Sequence, residues 1–210
     1  MQRRAAAAVV HSQRKRQGRA GPDRAEHPPT ITMDYFEVFG LSRALAIDPA
    51  ALERTFHQLS RKYHPDYFTT APETERVQAV RMTALINDAY RTLRNPVTRV
   101  EYLLAKEGFK ADGSKVPQSL LMEVFEINEG LEEVKTGRAS IEQVDSLRAQ
   151  IKEKREQFDL ELQKASNEWD ELLKERATES RRKDQLKKLT EIVSESSYIR
   201  NLERELENGG

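Results

Sequence analysis

A proline at position 65 interrupts what would otherwise be one helical pattern running from Pro49 to Arg94, and no other residue constrains the first half of the chain as strongly. Pro65 has no backbone N–H, and its ring disfavours helical geometry at His64. The first helix must therefore stop near Tyr63. Asp48 and Pro49 supply its N-cap and first position, and Leu52, Phe56, Leu59 and Tyr63 recur along it at helical spacing. Periodicity resumes after Pro72 through Val77, Val80, Met82 or Ala84, Leu85, Ala89 and Leu93, until Asn95-Pro96 closes it. Two antiparallel helices joined by a loop holding His64-Pro65-Asp66 are predicted.

Shorter elements flank this hairpin. Tyr35, Phe36, Val38, Phe39 and Leu41 form an apolar cluster broken at Gly40, which predicts a brief helix. A short helix over Val97 to Lys106 offers Tyr102, Leu103 and Leu104 to the core, and residues 108–116 read as a linker. Pro117 then opens a helix reaching about Thr136, and Ser140 with Gln143 makes a capping box for the next. That helix carries Val144, Ile151, Phe158, Ala165 and Leu172 at seven-residue intervals, supplemented by Leu147, Leu162 and Trp169. It should end near Ala177, and a last helix with Leu186, Leu189, Val193, Ile199, Leu202 and Leu206 should follow a basic turn at Arg181-Arg182-Lys183. Three such helices bury one another as a bundle.

Composition narrows the classes of function. Of 210 residues 33% are charged, with 35 bases against 35 acids, a profile of helix-rich soluble proteins. No stretch approaches the roughly 18 to 20 apolar residues of a membrane span. The absence of cysteine removes disulfides, thiolate nucleophiles and cysteine-based metal modules, and leaves four scattered histidines. No phosphate loop, nucleophile with its base or metal-ligand cluster is present, so neither a catalytic residue, a metal nor a cofactor is expected. Before Met33 seven bases face two acids, so the remainder is mildly acidic and no nucleic-acid partner is expected. Residues 1–32 read as a disordered basic extension. An Arg- and Ala-rich start resembles a mitochondrial presequence, but it lacks an amphipathic stripe. Met33 reads as a natural beginning, with the preceding residues an upstream start or an appended extension.

A short helix, a basic-faced helix, a His-Pro-Asp loop and a helix ending Asn87-Asp88-Ala89-Tyr90-Arg91-Thr92-Leu93 together resemble a J-domain. More narrowly, Met33-Asp34-Tyr35-Phe36 with Phe39-Gly40-Leu41, and Leu93-Arg94-Asn95-Pro96-Val97-Thr98-Arg99 leading to Glu101-Tyr102-Leu103-Leu104, resemble HscB, the J-type co-chaperone of iron-sulfur cluster assembly. The likeness covers about residues 33 to 207. It implies a J-domain that engages a DnaK/HscA-type chaperone and activates its ATPase, and a C-terminal helical domain that holds the scaffold protein on which clusters are built. Tyr67 departs from the pattern, since a Lys commonly follows that Asp. The lack of cysteine also separates the chain from eukaryotic relatives that carry an added cysteine metal module.

Two surfaces follow. By itself His64-Pro65-Asp66 is a plain turn; in its flanking pattern it presents an imidazole and a carboxylate to the chaperone, with Arg54, Arg61 and Lys62 steering an acidic partner surface. On the helix over 120 to 134, at 100° per residue, Leu120, Val124, Ile127, Leu131 and Val134 fall within about 80° and form a core stripe. Leu121, Met122, Phe125, Glu126, Glu129 and Glu133 occupy an arc of about 140° opposite. One reading packs Leu121, Met122 and Phe125 inside the domain. The other, favoured because buried carboxylates are costly, is an exposed apolar patch rimmed by acid, the anatomy of a partner site. These positions match the scaffold-binding stretch of the family, as does Tyr198 on the last helix.

The expectation is an L-shaped or two-lobed all-α monomer: a J-domain over 33–107, the linker over 108–116 and a scaffold-binding three-helix bundle over 117–207. It would be a non-enzymatic adaptor in the bacterial cytoplasm, with a mitochondrial location as the alternative. A J-domain protein serving another client and a coiled-coil protein dimerising through its seven-residue seam are the rival readings.

Overall fold

The computed structural model describes residues 33–110 and 121–209, with side chains from Phe125 onward in the second span. The extension over 1–32, most of the linker, and the side chains of Leu121 and Met122 lie outside the described residues.

Side-chain capping begins three of the α-helices of the first half, and the third in chain order starts after Pro72 without one. Helix α1 (Tyr35–Val38) follows Asp34, whose carboxylate accepts from Phe36 N at 3.0 Å within a capping box with Glu37. Helix α2 (Pro49–Lys62) starts at Asp48, which accepts from Ala50 N at 3.0 Å, and ends at Tyr63 as the proline demands. A 3-10 turn over Pro65–Phe68 leads to α3 (Glu73–Arg94). Asn95 then caps α4 (Pro96–Lys106), accepting from Val97 N at 2.9 Å. Phe36, Phe39, Leu52, Ile86, Ala89 and Leu93 form the core of this half.

The buried face of α3 differs from the predicted one. Ala79, Ile86, Ala89 and Leu93 are buried, whereas Val77 and Val80 are 42% and 55% exposed. At 100° per residue the four buried positions lie within about 80° of one another, and both valines fall on the far side of the helix.

The second half contains α5 (Leu121–Lys135), α6 (Ile141–Lys174) and α7 (Glu179–Gly209). Ser140 and Gln143 form the predicted capping box. Helix α6 ends in a Schellman arrangement, with Ala177 N donating to Leu172 O and Arg176 N to Leu173 O while Arg176 takes a φ of 52°. The chain therefore reverses at residues 175–178, and Arg181, Arg182 and Lys183 lie inside α7 rather than in the turn. Helices α6 and α7 are antiparallel, since Glu168 pairs with Lys188 and Arg155 with Glu203.

The seven-residue seam of α6 is filled from within the chain. Leu147 and Ile151 pack with Ile127, Leu131 and Val134 of α5 and Leu202 and Leu206 of α7. Phe158, Leu162, Ala165 and Trp169 pack with Leu189, Val193 and Ile199 of α7 and also with Val100, Leu103 and Leu104 of α4. Helix α4 is thus divided. Tyr102, on its other side, stacks on Tyr35 with ring centroids 4.4 Å apart, while Leu103 and Leu104 serve the bundle.

Polar contacts reinforce this shared core. Trp169 Nε1 donates to Arg43 O at 3.0 Å, and the buried Asp170 carboxylate accepts from Leu45 N and Ala46 N, each at 2.7 Å. Residues Met33–Gly210 accordingly form one compact unit. Among the described residues no helix is long and apolar enough to cross a membrane.

Candidate functional site

The first surface is set by how α2 ends. Thr83 of α3 donates its hydroxyl to Tyr63 O at 2.8 Å, which pins the last turn of α2 to its neighbour. Pro65 then turns the chain, and His64 caps the 3-10 turn by accepting from Asp66 N through Nδ1 at 3.3 Å. Asp66 Oδ2 also lies 3.5 Å from Nδ1, a contact that is attractive only if the ring is protonated. The amide hydrogen bond uses Nδ1 as its acceptor and leaves Nε2 as the ring's other nitrogen. The side chains of His64 and Asp66 are 53% and 82% exposed.

The surroundings extend this presentation. Tyr67, 73% exposed, stands edge-on to the His64 ring with centroids 6.0 Å apart. Arg54, Arg61 and Lys62 are exposed on α2, and the Lys62 ammonium lies 5.2 Å from the centroid of the Tyr63 ring. Arg61 joins His57, Ser60, His64, Asp66 and Tyr67 around a shallow concavity of about 330 Å³. Sequence reasoning assigned no role to His57 and Ser60. Their signal was available, because 57, 60, 61 and 64 follow helical spacing along one face that runs into the loop.

The second surface lies on α5. Ile127, Leu131 and Val134 of the predicted core stripe are buried. Phe125, from the opposite arc, is 70% exposed, and Glu126 and Glu129 beside it in sequence are exposed as well. Glu133 is drawn into the connection to α6, where its carboxylate accepts from Gln143 Nε2 at 3.2 Å. Tyr198 is half-buried on α7, packed against the cluster that the inner stripe of α5 builds. Leu121 and Met122 belong to the backbone of α5, but their side chains lie outside the described residues. The structure thus brings Phe125, Glu126 and Glu129 to the surface, ties Glu133 to Gln143 and packs Tyr198 partly against the bundle.

A basic-faced helix of 14 residues and its partner of 22, joined by an exposed His-Pro-Asp turn, define a J-domain protein. Comparison with known proteins agrees: residues 34–102 match the model of the DnaJ domain, and residues 116–207 match that of the HSCB C-terminal oligomerisation domain. The chain is 42% identical over 108 residues to a co-chaperone protein HscB homolog of Vibrio vulnificus (strain YJ016), an alignment covering 50% of this chain and 63% of that protein. It is 30% identical over 186 residues to the iron-sulfur cluster co-chaperone protein HscB of Mus musculus, covering 87% of this chain and 71% of the relative. The crystal structure of the human co-chaperone protein HscB superposes with a TM-score of 0.65 at 26% identity, over 91% of this chain and 94% of that one. The chain belongs to the HscB co-chaperone family.

Proposed function

We propose that the protein is an adaptor that delivers an iron-sulfur cluster scaffold protein to a DnaK/HscA-type chaperone and stimulates that chaperone's ATP hydrolysis. The observation that carries this reading is the His64 turn, where a proline-stiffened loop exposes an imidazole and a carboxylate beside the cationic face of α2. An acidic chaperone surface would be steered by Arg54, Arg61 and Lys62 and read at short range by His64 and Asp66. The scaffold would dock on the outer face of α5 around Phe125, with Leu121 and Met122 as further anchors and Glu126 and Glu129 as the rim. Tethering raises the client's effective concentration at the chaperone. The reaction takes place in the partner, so no catalytic residue of this chain is assigned.

The bacterial cytoplasm is the compartment this reading assumes, and a monomer is the acting form. The filled seam of α6 supports the monomer, whereas the family model's description as an oligomerisation domain points to self-association. Light scattering separates the two, and an obligate dimer would revive the coiled-coil reading.

The decisive experiment measures the ATPase of a cognate chaperone with the protein, with and without scaffold. Stimulation should occur with the protein alone and rise when scaffold is added. His64→Gln should abolish both effects while the helical circular dichroism stays unchanged. Retained stimulation by His64→Gln would remove the turn from the mechanism, and stimulation with no response to scaffold would favour a J-domain protein for another client.

A further inference from the structure

The tip of the α2–α3 hairpin carries apolar surface for which steering by Arg54, Arg61 and Lys62 has no use. Three of the large hydrophobic side chains exposed among the described residues, Tyr67, Val77 and Val80, fall together at this tip. The others, Met33, Phe125, Ile141 and Leu160, are spread over the rest of the chain.

The three residues flank the His64 turn. Tyr67 lies on the α2 side, where its amide donates to His64 O at 3.0 Å and its ring borders the concavity shared with His57, Arg61 and His64. Val80 lies on the α3 side. Thr83, one turn further along α3, donates to the carbonyl of Tyr63, the residue before His64. Val80 is therefore about 4.5 Å along the helix axis from that anchor, and Val77 about 9 Å. The 3-10 turn itself packs on α3. At 100° per residue Val77, Val80 and Ala84 share an arc of about 60°, and Ala84 is exposed as well.

Folding gives no reason for these side chains. Valine is β-branched and loses rotamer freedom in a helix, so a solvent-facing position is better filled by Ala, Glu, Lys or Arg. Both valines bear that loss with much of their surface left in water. Tyr67 likewise leaves an aromatic face in water beside a polar turn. Apolar side chains gathered within a polar rim are the anatomy of a contact surface, with aromatic residues as its anchors.

We propose that Tyr67, Val80 and Val77 form an apolar collar around the His64 turn, and that the chaperone covers it with an aliphatic surface adjoining its acidic one. Continuity selects this occupant: the collar borders the turn on both sides, so a partner large enough to read His64 and Asp66 also meets Tyr67 and Val80. The identification rests on the proposed function. The two kinds of contact differ physically. Charges on α2 act over a screening length of about 10 Å at 0.1 M salt and govern approach, whereas apolar contact forms only at closure and is not screened. The collar thus sets the lifetime of the complex and favours chaperones whose apolar patch lies in register with the acidic one.

The test measures binding of the full-length protein to the ATP-bound chaperone across a salt series, beside ATPase stimulation. Tyr67→Ala combined with Val80→Ala should weaken binding about tenfold at every salt concentration, through faster dissociation and with the parent's salt slope. Arg61→Gln combined with Lys62→Gln should instead flatten that slope. Parent-like affinity of the collar variant, or a weakening that vanishes at high salt, would overturn the collar. Both collar residues are exposed and alanine favours helix, so the melting midpoint should match the parent's; a lower one would place them in the domain core and count equally against the proposal. Unchanged chaperone affinity with weaker scaffold binding, or with loss of self-association, would give the surface to another partner and reject it as well. A parent protein that binds the chaperone without stimulating it would remove the proposed function alone, because the affinities still decide the collar. A parent protein that does not bind at all would overturn both.

Discussion

The His64 turn and the outer face of α5 are built in opposite ways. The turn is a local construction: Pro65 forces the break, His64 caps its own segment and Thr83 anchors the preceding carbonyl. The α5 face is what remains after the core has taken the other side of the helix, since Ile127, Leu131 and Val134 point inward and Phe125 is left outside. A surface of the first kind can be recognised from a few adjacent residues. A surface of the second kind can be recognised only once the inward face is known.

The sharpest way to break this contrast is to compare two apolar truncations on α5. Leu131→Ala should cost roughly 2 to 5 kcal/mol, because Leu131 is 1% exposed and a cavity would remain. Phe125→Ala should change stability by less than about 0.5 kcal/mol while weakening scaffold binding. Denaturant melts of the two variants check this, and equal destabilisation would place Phe125 in the core. Next in size is Thr83→Val, which removes the hydroxyl donor to Tyr63 O. A loss of about 1 kcal/mol is expected, with reduced ATPase stimulation although no residue of the turn has changed. Stimulation at the parent level would show that the turn holds its shape without that anchor.

The smallest effect concerns acid stability. The hydrogen bond from Lys188 at 2.7 Å, aided by Gln185 and by both nearby lysines, holds Glu168 below the usual carboxylate range. A depressed folded-state pKa contributes stability that is complete above the unfolded value of about 4.3 and is lost as pH falls through the lower folded value. The pair is largely solvent-facing, so its share is of the order of 0.2 to 1 kcal/mol. Glu168→Gln should remove that increment near neutral pH and flatten the acid limb correspondingly. An acid limb identical to the parent's would mean the pair contributes nothing to folding.

Much of the architecture was legible from local rules. The helix starts at Asp48-Pro49 and at the Ser140–Gln143 box, and the stop at Asn95-Pro96, followed from rules that depend on residues within one turn. The seam of α6 was visible as a seven-residue period, and every position from Ile151 to Leu172 in that series is buried. Errors arose where a partner decided the outcome. Val77 and Val80 have the right chemistry for a core, but the helices opposite α3 meet a face centred on Ile86 and Ala89. The Arg181-Arg182-Lys183 cluster looked like a turn, whereas the reversal occurs one turn earlier, at a left-handed Arg176 that composition does not signal. Glu133, read from helical angle, accepts from Gln143, and Tyr198, read from the family resemblance, packs partly against the cluster built by the inner stripe of α5, contacts that no local pattern showed.

By itself the sequence determined the helices, their caps, the break at Pro65 and the two-sided character of α5, because each depends on interactions within a few residues. The junction between the halves was decided only by tertiary structure. Nothing near Asp170 in the chain marks it as the acceptor for Leu45 and Ala46, and nothing in α4 tells that Tyr102 serves one core and Leu103 and Leu104 another. Those assignments depend on contacts between segments up to 125 residues apart, for which a linear pattern carries no register.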